Sequence, residues 1–186
     1  MKLFSPLPMV LFLSLVFLTA CDKDDPVPID EPELITTLIY TLTPIGGGTP
    51  AVLSFQDLDG DGGDEPVVIT DNLMANTTYN GSISLLNETE TPAENISAEV
   101  LEEGAEHQFF FAQTVNGISL AYTDMDEDGN PIGLSTILTT TVAQSGNFTI
   151  ILRHEPDKNA DGAAQGNINN AGGETDIEVT FPINVQ

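Results

Sequence analysis

Three stretches of the chain set carboxylates ahead of a glycine, two of them at alternating positions. The densest is Asp57-Leu-Asp59-Gly-Asp61-Gly62-Gly-Asp64-Glu65. Oxygens spaced this way can converge on a hard cation such as calcium, which takes about six to eight oxygen ligands. Asp124-Met-Asp126-Glu-Asp128-Gly129-Asn130-Pro131 repeats the spacing, although Asp-Gly-Asn-Pro is also strong turn chemistry in its own right. Asp157-Lys-Asn-Ala-Asp161-Gly162 is the weakest of the set, because a lysine sits inside it. The other candidate ligands are the two histidines, His107 and His154, each next to a glutamate (Glu106, Glu155). Two imidazoles and a carboxylate could hold zinc or copper if the fold brought them together. Sequence leaves that open, and separate positions at strand edges are the alternative.

The first acidic stretch resembles the opening half of a calcium loop, Asp-x-Asp-x-Asp-Gly. Position 12 of an EF-hand loop would be Val68 rather than glutamate, so an EF-hand is excluded. Two readings remain: a calcium-binding β-loop closed by Asp64 or Glu65, or a solvated turn. For Asp124, Asp126 and Asp128 the turn reading has the stronger chemistry. Covalent catalysis has no motif: there is no Gly-x-Ser-x-Gly elbow and no phosphate-cradling glycine loop followed by lysine. With 29 acidic residues, no carboxylate pair stands out as a glycosidase dyad. The Asn-x-Ser/Thr triplets at Asn76, Asn80, Asn87, Asn95 and Asn147 read as polar strand and turn residues.

The single cysteine, Cys21, excludes an intramolecular disulfide. It follows Met1-Lys2, the apolar run Met9–Leu18 and the small residues Thr19-Ala20, the pattern of a secretory signal cut before Cys21. The ten-residue apolar run would rise about 15 Å as a helix, half the hydrocarbon thickness, and is too short for a permanent span. Leu18-Thr19-Ala20-Cys21 resembles the bacterial lipobox, which implies diacylglycerol on the Cys21 sulfur. Asp22-Lys23-Asp24-Asp25 resembles the acidic export signal behind the lipidated cysteine of Bacteroidota lipoproteins, which implies the outer membrane and its outer face. Pro26, Pro28 and Pro32 among acids read as an extended tether. The expected organisation is a signal peptide at 1–20, a lipidated tether at 21–32 and a folded domain at 33–186.

Lys and Arg number 4 against 29 Asp and Glu, and Lys2 falls in the leader. A net charge of −25 repels phosphate backbones, so nucleic-acid binding is excluded. The elements that must position the acidic loops read as strands. They are Leu34–Leu42, Ala51–Phe55, Pro66–Ile69, Thr77–Leu86, His107–Ala112, Ser119–Thr123, Leu134–Val142, Asn147–Arg153 and Asp176–Val185. Tyr79, Gly81, Ile83 and Leu85 alternate with polar residues, the two-residue period of a half-buried strand. Thr91-Pro92 followed by early acid predicts one short helix over 92–104, with Ile96, Val100 and Leu101 on its apolar face. Short strands separated by turns predict an all-β fold, an antiparallel β-sandwich of immunoglobulin-like architecture.

The mature chain resembles a family of small Bacteroidota lipoproteins through residues 33–181. The stretches that carry the resemblance are Glu33-Leu-Ile-Thr-Thr, Phe55-Gln-Asp-Leu-Asp-Gly-Asp-Gly-Gly, Ala75-Asn-Thr-Thr-Tyr, Leu86-Asn-Glu-Thr-Glu-Thr-Pro-Ala-Glu, Glu106-His-Gln-Phe-Phe, Leu152-Arg-His-Glu-Pro and Gly172-Gly-Glu-Thr-Asp-Ile-Glu-Val-Thr-Phe. Members are sometimes labelled as having a type 1 periplasmic-binding fold, which implies two α/β lobes. The strands here have no helices alternating with them, and that favours the sandwich. The expected function is a non-enzymatic binding or accessory module at the outer membrane, with a protein partner or small ligand and no cofactor beyond calcium. A calcium-stabilised adhesion module and a metal-dependent hydrolase using an acidic loop with His154 are the alternatives.

Overall fold

Alternation of apolar and polar residues builds the sheets. In the strand Thr78–Leu86, residues Tyr79, Gly81, Ile83 and Leu85 are all buried, as the two-residue period predicts. This computed structural model describes residues 33–60 and 62–186. The leader, the tether, Cys21 and Asp61 therefore lie outside the described residues. Nine strands are described: β1 (Thr37–Pro44), β2 (Ala51–Gln56), β3 (Val67–Thr70), β4 (Thr78–Leu86), β5 (His107–Gln113), β6 (Ile118–Tyr122), β7 (Ser135–Thr140), β8 (Gln144–His154) and β9 (Glu174–Val185). They form a six-stranded sheet ordered β3-β2-β1-β4-β7-β6 and a three-stranded sheet ordered β5-β8-β9. Every strand-to-strand pairing is antiparallel. The fold is thus an all-β sandwich, and the two α/β lobes of the periplasmic-binding label are not what residues 33–186 form.

One core joins the two sheets. Leu38, Tyr40 and Leu42 of β1 pack with Phe148, Ile150 and Leu152 of β8 and with Val179 and Phe181 of β9. The Tyr40 and Phe148 rings stack with centroids 6.1 Å apart. Burying each such side chain contributes roughly 1.5–3 kcal/mol. The Tyr40 hydroxyl lies 2.7 Å from Thr136 Oγ1 across Gly81. A Cβ on Gly81 would sit 2.5 Å from that hydroxyl, so only glycine leaves room for the bond. β3 forms an outer edge, with Val67, Val68 and Ile69 exposed.

The one α-helix among the described residues, α1 (Ile96–Glu102), is shorter than the predicted 92–104. Asn87 and Glu94 exchange both backbone hydrogen bonds (3.1 and 3.0 Å), which commits Glu94 to a bridge and delays the helix start. The Thr91–Pro92 peptide is cis, and the cap is Asn95 rather than Thr91. Ile96 and Val100, four residues apart, face the core, while Leu101 points outward. A helix of two turns has room for one apolar stripe only.

Candidate metal centre

The register of β5 against β8 decides the site. His107 is the Cα partner of His154 at the shared end of the two strands. Directly opposed residues face the same side of a sheet, so the rings meet. Their centroids are 4.8 Å apart and their planes differ by 11°. The 46 intervening residues that separate them in sequence had left the encounter open.

Two carboxylates complete the cluster. Glu33, on the segment that enters β1, places Oε1 3.1 Å from His107 Nε2. Asp176 on β9 places Oδ2 3.8 Å from the same nitrogen. Donor atoms of Glu33, His107 and His154 all lie within 4.8 Å of one another. A β-bulge accounts for Asp176: the β8–β9 register shifts between Leu152 and Arg153, so that Leu152 opposes Ile177 while Arg153 opposes Thr175. Asp176 is the extra residue, and the bulge turns it inward beside the buried Ile177.

Burial makes the arrangement costly. The side chains of His107 and Asp176 are 0% and 1% exposed, and neither Asp176 oxygen accepts a hydrogen bond. Buried polar atoms without partners are rare and call for a physical reason. Burial, followed by the charge of Glu33, pushes the Asp176 carboxyl up to about 6, against smaller opposing effects of both histidines. His107 Nδ1 lies 3.2 Å from the carbonyl oxygen of Glu103. A carbonyl only accepts, so Nδ1 carries a hydrogen and Nε2 is the atom turned to the carboxylates. Glu33 Oε1 is nevertheless out of line for a hydrogen bond from Nε2. His154 lies nearer the surface, with the half-exposed Glu106 carboxylate 3.9 Å from its Nε2. A groove of about 450 Å³ lies against the cluster, lined by Glu33, Asp57, Asp59, Thr89 and Asp176 among others.

The acidic loops are built differently. Asp57 Oδ1 accepts from the Gly60 amide (2.9 Å), and Asp59 Oδ2 accepts from the Asp64 amide (2.9 Å). Asp59, Asp64 and Glu65 are exposed, and Asp61 lies outside the described residues. In the second loop Asp124 accepts from the amides of Gly133 and Ser135 (2.9 and 3.0 Å). Asp126 accepts from the amides of Asp128 and Asn130 (3.0 and 2.8 Å). Its other oxygen receives the Lys158 ammonium at 2.9 Å. Lys158 also donates to the carbonyls of Gly104 and Pro131. Burial pushes the Lys158 ammonium down against the pull of Asp126. Burial also raises Asp126, but the bonds from Lys158 and the backbone outweigh it and hold this carboxyl below its usual range. The lysine that weakened the third acidic stretch thus supplies the cation of the second. Asp128 stays exposed, and Asp157 caps its own turn by accepting from the Asn159 amide.

Sequence reasoning singled out the histidines but missed Glu33, Asp176 and Lys158. The clue to Asp176 was a charged residue directly before the alternating run Ile177–Phe181, where a bulge is needed to bury it. Comparison with protein-family models, curated proteins and solved structures gave no match to this chain.

Proposed function

We propose that this chain is a lipid-anchored binding module of the outer membrane, displayed on the outer face, without catalytic activity of its own. Its ligand is held at the cluster of His107, His154, Glu33 and Asp176. The observation that carries the ligand site is the buried Asp176 carboxylate, which faces an imidazole nitrogen and accepts no hydrogen bond. A chain that binds nothing there would gain stability by replacing it with an apolar residue. The anchor is supported by Leu18-Thr19-Ala20-Cys21 and by a domain that starts 12 residues further on, at Glu33. Two or more acyl chains give stable attachment where one is marginal.

Metabolic labelling with an alkyne fatty acid tests the anchor. Label on the wild-type protein that disappears in Cys21→Ser, together with release of that variant from membranes, is the expected result. An unlabelled wild-type protein, or a Cys21→Ser variant that stays membrane-bound, overturns the anchor. Protease added to intact cells should degrade the domain, and protection until lysis would place it on the periplasmic face instead.

A further inference from the structure

We infer that the cluster is a four-coordinate site for a borderline divalent cation of the zinc class, with His107 Nε2, a ring nitrogen of His154, Glu33 Oε1 and Asp176 Oδ2 as ligands. This rests on the ligand-site reading above. Two imidazoles with two carboxylates are a donor set for zinc rather than calcium, which prefers an all-oxygen shell. Tetrahedral ligation at about 2.0–2.2 Å puts neighbouring donor atoms about 3.3 Å apart. Glu33 Oε1, 3.1 Å from His107 Nε2, is close to that separation, while Asp176 Oδ2, 3.8 Å from the same nitrogen, stands outside the three donors that lie within 4.8 Å of one another and closes in as the ion binds.

The orientation of His107 agrees. Metal-ligating histidines usually donate their second ring N–H to a carbonyl or carboxylate, which fixes the tautomer. The Glu103 carbonyl plays that part for Nδ1. Nε2 then presents its lone pair to two carboxylates, a repulsive arrangement that a cation between them reverses. Stacked imidazoles aim their lone pairs side by side, so ligation requires one ring to tilt. His154 has the room to do so, its side chain being 11% exposed. The carboxylates of Asp57 and Asp59 along the groove raise the local cation concentration at its mouth. Four protein ligands leave no open position for water, the pattern of a holding site rather than a hydrolytic one.

The test uses the mature lipoprotein in detergent, stripped with a chelator and titrated with Co²⁺ or Zn²⁺ alone. The expected result is one equivalent bound, with cobalt showing the intense visible bands of a four-coordinate nitrogen–oxygen site. His154→Gln and Glu33→Gln, at side chains each 11% exposed, should each weaken zinc binding about 100-fold or more with an unchanged circular dichroism spectrum. His107→Ala removes a fully buried residue and is read only if it folds. Absence of the cobalt bands overturns the inference, as does full uptake by the His154→Gln/Glu33→Gln double variant. Uptake that survives in this double variant but is lost in Asp57→Asn/Asp59→Asn would move the site to the acidic loop. Zinc binding without lipid labelling would sink the anchor and keep the site, while labelling without zinc binding would do the reverse.

Discussion

The acidic loops and the histidine centre contain the same kind of group in opposite circumstances. Around Asp57–Glu65 the described carboxylates Asp59, Asp64 and Glu65 are exposed, and Asp57 and Asp59 are spent on amides of their own turn. At the histidine centre Glu33 and Asp176 are covered by protein and face imidazole, and only Glu106 is half-exposed. Density of charge marked the loops in the sequence. Unsatisfied burial marks the centre in the structure, and only burial carries an energetic cost that ligand binding can repay. The Asp124–Asp128 loop stands between the two, since its buried carboxylate Asp126 is already paired with a cation, Lys158.

The largest effect is expected where that pairing is removed. Lys158→Ala leaves Asp126 buried and uncompensated, a change that typically costs about 3–5 kcal/mol. For a domain of this size that lowers the melting temperature by roughly 10 °C, measured by calorimetry. A loss under about 2 °C would show that the Asp126 loop is no more committed than its exposed neighbour. Next comes zinc itself: at about 100 times its dissociation constant it should raise the melting temperature by roughly 5–8 °C. Calcium at the same excess over the protein should leave it unchanged. A calcium-induced rise that Asp57→Asn abolishes would invert the comparison and make the exposed loop the cation site.

A smaller effect is expected of Asp176→Asn in the presence of chelator. The folded carboxyl, pushed up to about 6, is ionised above that pH in a place that disfavours charge. Between pH 6 and the ordinary 3.8 the native state binds the proton before the unfolded chain does, so the penalty fades as pH falls. The Asn variant should therefore melt roughly 3–5 °C higher than wild type at pH 7.5 and lose that advantage near pH 4. An advantage that persists at pH 4 would show that the carboxyl's charge is not what destabilises the site. The smallest change belongs to Asp59→Asn. It should move the melting temperature by less than about 2 °C and lower only the rate of zinc association, more so at low ionic strength.

The strands were legible because each announces itself locally. Tyr79, Gly81, Ile83 and Leu85 needed only a two-residue period, and they are buried as that period requires. The short helix lies within the expected 92–104 but starts later than Thr91-Pro92 signals, because the Asn87–Glu94 pairing that overrides them is a tertiary choice. The centre depends on three such choices. These are the register that opposes His107 to His154, the bulge that turns Asp176 inward, and the path that brings Glu33 beside β5. Only the bulge leaves a local trace, the charged Asp176 directly before the alternating run Ile177–Phe181. Lys158 looked like a flaw in its own loop because its long side chain acts on a residue 32 positions away.

The outer strand β3 bears on a different matter, the association of one copy with another. An open strand edge is a template on which a second chain can pair, and long apolar edges seed aggregates. Here the edge is four residues long, and its exposed Val67, Val68 and Ile69 would otherwise invite pairing. Asp64, Glu65 and Pro66 stand immediately before it and Asp71 immediately after it. A second copy docking along β3 would bring these charges against their own kind, and proline withholds the donor needed to lengthen the ladder. The strand most exposed to self-pairing thus carries its own gatekeepers, which lets copies crowd together without growing into fibres.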